Sequence, residues 1–187
     1  MEIDRPEPGT RAAPEAAPHR AYRYVGPPDV RDAARGAPPG TPVTSAAELS
    51  AWLGRQPDAA GPFTYTVGTD GVLRLADRRS EHVACAGGGP VLGAGEVGFA
   101  AVDGGGHRAV EVSNLSTGYC PDTACWPAVA AALERAGAGH PGGLTQAVVF
   151  RRCTGCGEVS VVREGFFVCV FCESDLPARW NVAPPVA

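Results

Sequence analysis

The C-terminal fold is decided by Cys153–Cys156 (Cys-Thr-Gly-Cys), followed after twelve residues by Cys169–Cys172 (Cys-Val-Phe-Cys). Each Cys-x-x-Cys motif places two thiolates on one tight turn, and two such turns complete the tetrahedral four-sulfur site that zinc prefers. Because cysteine fills all four ligand positions of Cys153, Cys156, Cys169 and Cys172, no position is left for water. The pattern predicts one structural zinc ion, with an iron–sulfur centre or a redox dithiol as alternatives.

The residues between the two motifs predict a hairpin. Glu158–Arg163 and Gly165–Val170 are apolar-rich runs separated by a turn, which would bring both cysteine pairs to one end of a two-stranded zinc ribbon. A hairpin this small buries little apolar surface, so metal binding would supply much of its folding free energy. We expect Phe166, Phe167 and Phe171 to pack the ribbon onto the preceding domain.

The composition of the 187-residue chain excludes several classes of function. All sixteen basic residues are arginine, which excludes enzymes that need a P-loop, kinase-type or Schiff-base lysine and is typical of GC-rich bacterial genomes. We expect no membrane span and no signal peptide, because the chain has neither a long apolar run nor an apolar N-terminus. Seven cysteines then indicate a reducing, cytoplasmic location and metal ligands rather than disulfides.

The chain divides into three parts by composition. Residues 1–42 hold nine of the eighteen prolines and show no hydrophobic periodicity, which predicts a disordered tail. Residues 43–145 are interpreted as a small β-rich α+β domain with two short helices. Residues 146–182 are the predicted zinc ribbon.

Two helices and several strands are expected in the α+β domain. Ser45 and Glu48 form a capping-box pattern that opens a helix over about 45–55. Pro127 lies in the first turn of a second helix over about 126–136. Apolar runs and turn signals predict strands at 63–67, 72–75, 80–86, 91–101 and 109–112, and at 146–152 before the first cysteine motif.

A small polar cluster is the candidate for chemistry in this domain. His82, on a predicted strand, would meet Glu96 and Tyr119 across strands beside a glycine-rich loop. One interpretation is an enzyme whose ligand pocket or general acid–base site these three residues form. The alternative is a buried histidine that bonds a backbone carbonyl.

Three further cysteines allow several interpretations. Cys85, Cys120 and Cys125 either line the apolar core or form a second zinc site together with His82. Cys120 as a nucleophile with His82 as its base is a further hypothesis. A deaminase site would need two residues between the paired cysteines, whereas four separate Cys120 from Cys125.

Two stretches, Ser80–Glu96 and Ser113–Pro121, resemble a module of uncharacterised bacterial proteins and of IQ-motif calmodulin-binding proteins of plants and fungi. The residues that match it are His82, Gly88, Gly89, Pro90, Ala94, Gly95, Glu96, Ser116, Tyr119 and Pro121. The resemblance covers about residues 63–137 and implies a fold without an assigned activity. Gly118 stands where the module has a second histidine. This chain has no IQ motif, so calmodulin is not implied.

The charge distribution bears on the kind of partner. Residues 151–179 contain four arginines and four acidic residues, and the whole chain has a formal net charge of −4, which is unfavourable for binding phosphates. We therefore expect a binding or regulatory module that takes a protein partner or a small ligand. A nucleic-acid-binding ribbon, with exposed phenylalanines stacking on bases, is the alternative.

Overall fold

The computed structural model describes residues 19–183, which form two antiparallel sheets. The strands are β1 (Thr41–Val43), β2 (Phe63–Gly68), β3 (Leu73–Ala76), β4 (Val91–Ala101), β5 (His107–Val112), β6 (Val149–Arg152) and β7 (Val159–Val162). Strands β1 to β5 make one sheet in the order β1-β3-β2-β4-β5, and β6 pairs with β7. The predicted α+β class, with a four-cysteine cluster at the C-terminal end, is confirmed.

Helices cover the main sheet. They are α1 (Pro28–Ala34), α2 (Ala46–Leu53), α3 (His82–Cys85) and α4 (Trp126–Arg135), with a 3₁₀ turn at Thr123–Cys125 before α4. Both predicted helices are confirmed as α2 and α4, and Ser45 caps α2 by accepting a hydrogen bond from the amide of Glu48 at 3.3 Å. Within residues 19–183, no helix combines the length and the apolar content that crossing a bilayer requires.

The central strand β2 is buried on both faces because helices pack on both. Its alternation directs Phe63, Tyr65 and Val67 to one face and the two threonines between them to the other. On the first face, the ring of Trp52 in α2 meets Phe63 edge-to-face with centroids 4.8 Å apart. On the second face, Thr66 donates a hydrogen bond to the sulfur of Cys85 in α3 at 3.5 Å.

The prediction of a strand at 80–86 is wrong, because His82–Cys85 forms α3. The amide of Cys85 bonds the carbonyl of Glu81 at 3.0 Å, and the amide of Ala86 bonds that of His82 at 2.9 Å. Gly87, at φ +63°, then ends the turn. A run this short fits either hydrophobic period, so sequence alone does not separate one helical turn from a buried strand.

The predicted disordered tail is also wrong for residues 19–42. Tyr22 pairs with Val91 through two backbone hydrogen bonds of 2.7 and 2.9 Å, and its side chain is only 1% exposed. Its ring meets Trp180 edge-to-face with centroids 5.3 Å apart. A single docked aromatic residue leaves no periodic pattern, which is why composition misses it. Residues 1–18, the rest of the predicted tail, lie outside the described residues.

The ribbon is fixed to the domain by the segment that follows it. Trp180 donates its indole hydrogen to the carbonyl of Cys120 at 2.8 Å, and the Asn181 side chain bonds both the amide and the carbonyl of Arg152. Phe150 and Val182 are buried together with Cys120 in a second apolar cluster. This cluster joins the ribbon to the domain in place of the phenylalanines expected from the sequence.

We predict that Tyr22→Ala lowers the free energy of unfolding by about 3 kcal/mol, since it removes a fully buried aromatic ring. Chemical denaturation measures the change. Arg23→Ala, at the exposed neighbouring position, is the control and should change stability little. Equal stability of Tyr22→Ala and wild type would mean that residues 19–42 are the disordered tail that the composition suggests.

Candidate metal centre

The first cysteine motif forms the turn of the β6–β7 hairpin. The amide of Cys153 donates to the carbonyl of Glu158 at 2.8 Å, and the amide of Gly157 donates back to the carbonyl of Cys153 at 2.9 Å. The strand pairing of this hairpin differs from the sequence prediction, in which Glu158–Arg163 pairs with Gly165–Val170. Strand β7 instead pairs with β6, because the motif itself supplies the tight turn.

The second cysteine motif repeats the same turn. The amide of Cys169 donates to the carbonyl of Ser174 at 2.9 Å, and the amide of Glu173 donates to the carbonyl of Cys169 at 3.0 Å. A bridge between Val168 and Asp175 closes this smaller loop. We call the two turns the first knuckle (Cys153–Glu158) and the second knuckle (Cys169–Ser174).

Both knuckles require a left-handed backbone directly after their second cysteine. The residue there is Gly157 in the first knuckle, at φ +81°, and Glu173 in the second, at φ +60°. Glycine adopts this conformation without a steric cost, whereas other L-residues do so at a cost of about 1–2 kcal/mol. The second knuckle therefore holds a strained residue where the first holds a relaxed one.

The two knuckles bring four sulfur atoms together. Cys153 Sγ lies 3.6 Å from Cys172 Sγ, Cys156 Sγ lies 3.6 Å from Cys169 Sγ, and all four atoms lie within 4.8 Å of one another. A tetrahedral ion with metal–sulfur bonds of about 2.3 Å separates its ligands by about 3.8 Å. These sulfurs are too far apart for disulfide bonds and close to the spacing of a four-thiolate zinc site.

Neighbouring hydroxyl groups favour the thiolate form, which a metal needs, at two of the four cysteines. Ser160 donates a hydrogen bond to Cys169 Sγ at 3.4 Å, which lowers the pKa of that thiol to about 6. The Ser174 hydroxyl lies 3.4 Å from Cys172 Sγ and lowers the pKa of that thiol as well. The amide of Gly155 donates to Cys153 Sγ at 3.3 Å. The sequence did not indicate either serine, since Ser160 on β7 and Ser174 at the end of the second knuckle lie outside the Cys-x-x-Cys spacing.

One side of the cluster is packed and the other is open. Cys153 and Cys169 are buried with Leu176, and Phe167 packs beside them, whereas Cys156 and Cys172 are exposed. Behind Phe167, the guanidinium of Arg151 lies 5.6 Å from the ring centre and donates to the carbonyls of Pro177 and Ala178. The centre is thus a surface site on a rigid base.

The residues of the predicted polar cluster mostly bond the backbone. His82 Nε2 donates to the carbonyl of Gly95 at 3.0 Å, and the Tyr119 hydroxyl donates to the carbonyl of Gly89 at 2.6 Å. Burial lowers the pKa of His82, although the Glu96 carboxylate acts in the opposite direction. This geometry favours the alternative interpretation, a histidine bonded to a backbone carbonyl, although the side chain is only partly buried. A catalytic role for the three residues stays a prediction.

The surroundings of this cluster explain why Gly118 stands where the module that the chain resembles has a second histidine. A Cβ atom at Gly118 would lie 2.5 Å from the ring of Tyr24, so the docked N-terminal segment occupies the space of a side chain there. A cavity of about 450 Å³ lies between α1 and α3, and Glu81 and Cys85 line it, but His82 does not.

The other three cysteines make separate contacts. Cys85 Sγ donates to the carbonyl of Arg74, Cys120 Sγ donates to that of Thr117, and Cys125 packs in the main core. Within residues 19–183, the four ribbon cysteines are the one group of three or more ionisable ligands placed to share an ion. Burial raises the pKa of Cys120 to about 12, which opposes a nucleophilic role.

Asn114 has a structural role that no sequence pattern indicated. Asn114 is fully buried, donates to the carbonyls of Pro121 and Val148 at 2.9 and 2.8 Å, and accepts from the amide of Val148 at 2.7 Å. It ties the chain leading into β6 to the domain. In the sequence, the only indication of this role is the position of Asn114 within Ser113–Pro121, one of the two stretches that resemble the module.

No family model, curated protein or solved structure matches the chain. The resemblance to the module of IQ-motif proteins therefore stays a prediction, and the chemistry of the site rests on its geometry.

We predict that Gly157→Ala destabilises the metal-loaded ribbon by about 1–2 kcal/mol, whereas Glu173→Gly does not. A Cβ at Gly157 meets no atom within 4 Å, so the cost is conformational. Hydrogen exchange of the amides of β6 and β7 measures the ribbon's stability. Gly142→Ala, which is also uncrowded and lacks a positive φ, is the control. Equal protection in Gly157→Ala and wild type would contradict the prediction.

We predict that His82 makes the fold less stable as the pH falls. Because burial holds its folded pKa below the ordinary 6.5, the unfolded chain takes up the proton first. Stability should be full above about pH 6.5 and fall toward pH 5, with a slope of at most about 1.4 kcal/mol per pH unit.

Denaturation of wild type and His82→Gln across this pH range measures the contribution. The free-energy difference between the two proteins should change with pH in favour of the variant as the pH falls. His140, whose pKa is raised by the carbonyl of Pro141 and by Glu134, should show the opposite sign in His140→Gln. A pH-independent difference for His82→Gln would show that the folded state accommodates the proton.

Proposed function

We propose that this protein is a zinc-stabilised binding module, in which one structural zinc ion on Cys153, Cys156, Cys169 and Cys172 holds the ribbon in shape. The observation that carries the proposal is the convergence of four sulfurs from two matched knuckles within 4.8 Å. Four thiolates fill a tetrahedral shell, which leaves no open coordination position for substrate or water. Such a site supports a structural role for the ion.

Zinc is proposed over other ions because of the donor set and its surroundings. A tetrahedral four-sulfur site suits zinc or an iron–sulfur centre. The hydroxyl of Ser160 and the amide of Gly155 satisfy the lone pairs of Cys169 and Cys153, as the outer contacts of a thiolate site do. The spacing of 3.6 Å between paired sulfurs fits a single ion.

A binding role is proposed over catalysis because of how the polar groups are used. His82 and Tyr119, which the enzyme hypothesis needs, donate to backbone carbonyls and so act as structural residues. Apolar side chains on the ribbon, in contrast, face solvent. A surface of that kind is suited to holding a partner.

We predict that the purified protein contains one zinc ion per chain and that chelation unfolds the ribbon. Zinc binding is coupled to folding in small four-ligand units, where it contributes about 10–16 kcal/mol in peptides. Metal analysis by mass spectrometry gives the stoichiometry. Hydrogen exchange should show lost protection in β6 and β7 on chelation, with the five-stranded sheet retained.

Two matched variants distinguish the loss of a metal ligand from the loss of a cysteine that binds no metal. Cys156→Ser, at an exposed ligand, should lose most of the metal, whereas Cys125→Ala, at a buried non-ligand, should keep it. Iron with a charge-transfer spectrum would replace zinc in the proposal. Absence of bound metal, or two ions per chain, would overturn it.

A further inference from the structure

The ribbon presents four apolar side chains to solvent. Phe166 is 70% exposed, Val170 and Phe171 are each 63% exposed, and Val168 is 44% exposed. We call these four residues the knuckle patch. They lie within six consecutive positions around the second knuckle, whereas scattered single apolar residues are what an ordinary protein surface shows.

The local backbone explains how the patch forms. Along the extended segment before the second knuckle, Phe167 and Cys169 turn inward to the metal cluster. Alternation then directs Phe166 and Val168 outward to the opposite face, and Val170 and Phe171 follow in the exposed turn of the second knuckle. The patch is therefore the reverse side of the segment that supplies a ligand, and a bound ion would hold it rigid.

The metal site does not require apolar residues at these positions. Thr154 and Gly155 occupy the positions in the first knuckle that Val170 and Phe171 occupy in the second, with the same turn hydrogen bonds. Burial does not account for Val170 and Phe171 either, since both are mostly exposed. The remaining explanation for apolar residues at Val170 and Phe171 is a contact with a molecule outside the described fold.

The charges around the patch are mainly acidic. Within residues 163–175, Glu164, Glu173 and Asp175 are exposed, against a single exposed Arg163. Asp175 is the bridge partner of Val168, so their side chains share one face. A divalent ion on four thiolates adds a charge of −2 to this end of the ribbon.

We propose that the knuckle patch binds an apolar segment of a protein partner that carries arginine or lysine, an inference that rests on the proposed zinc-held ribbon. Charge complementarity selects this occupant. Nucleic acid and anionic membranes are repelled by the acidic surroundings, and so is a second copy of this patch. Residues 1–18 contain four acidic residues against two arginines, so they do not match either.

The test uses the zinc-loaded full chain and three short fluorescein-labelled peptides. One alternates leucine and phenylalanine with arginine, the second has glutamate in place of arginine, and the third has serine in place of the apolar residues. Fluorescence anisotropy measures their binding. We expect the arginine peptide to bind at least about tenfold more tightly than either of the others.

Two sets of variants locate the binding. Val170→Thr with Phe171→Gly gives the second knuckle the residues of the first, so it should keep the metal and lose at least about tenfold in affinity. Asp175→Asn should weaken binding of the arginine peptide and reduce the dependence of its affinity on salt concentration. Val102→Ser with Val110→Ser, at exposed apolar positions elsewhere, is the control and should leave affinity unchanged.

The outcomes separate this inference from the proposed function. A chain without bound zinc overturns the zinc-held ribbon. A zinc-loaded chain that binds the three peptides equally, or binds the arginine peptide regardless of the Val170 and Phe171 substitutions, overturns only the knuckle patch as the site. Binding to an oligonucleotide or to anionic vesicles that depends on these two residues, or dimerisation that they control, would assign the patch to a different occupant and also overturn the inference.

Discussion

The convergence of four cysteine sulfurs within 4.8 Å is the constraint on which the C-terminal part of the structure depends. The buried cluster there consists of Cys153, Cys169 and Leu176, so two of its three members are themselves ligands. Apolar burial on this scale does not hold two knuckles together. The ion proposed for the four thiolates would supply the missing free energy, and the serine and amide contacts lie where they would stabilise its ligands.

A series of contacts connects the cysteine cluster with the rest of the molecule through the terminal segments. Arg151 and Arg152 of β6 are bonded by the chain that follows the second knuckle, and Trp180 of that chain packs on Tyr22 near the other terminus. Tyr22 in turn pairs with β4 of the main sheet. These contacts attach the ribbon to the domain at several points along the segment that follows the second knuckle.

Short sequence patterns predicted the helices whose first turns are stabilised by residues nearby in the sequence. The capping box at Ser45 and Pro127 in a first turn both mark helices, because caps and first turns are satisfied by nearby residues. The helical turn at His82 and the docking of Tyr22 were not predicted, since each depends on a contact with β4, distant in sequence. The error in the ribbon has another cause, since the first Cys-x-x-Cys motif itself supplies the turn that pairs β7 with β6. Phe166 and Phe171 then face solvent.

The sequence by itself determined the donor set of four thiols, because the spacing within each Cys-x-x-Cys motif fixes the geometry of one turn. It also determined the α+β class and excluded lysine-dependent chemistry. Tertiary structure alone decided which strands pair, that His82 bonds the carbonyl of Gly95, and which apolar side chains are left exposed on the ribbon. Those outcomes depend on what packs against each residue, and no local pattern encodes that.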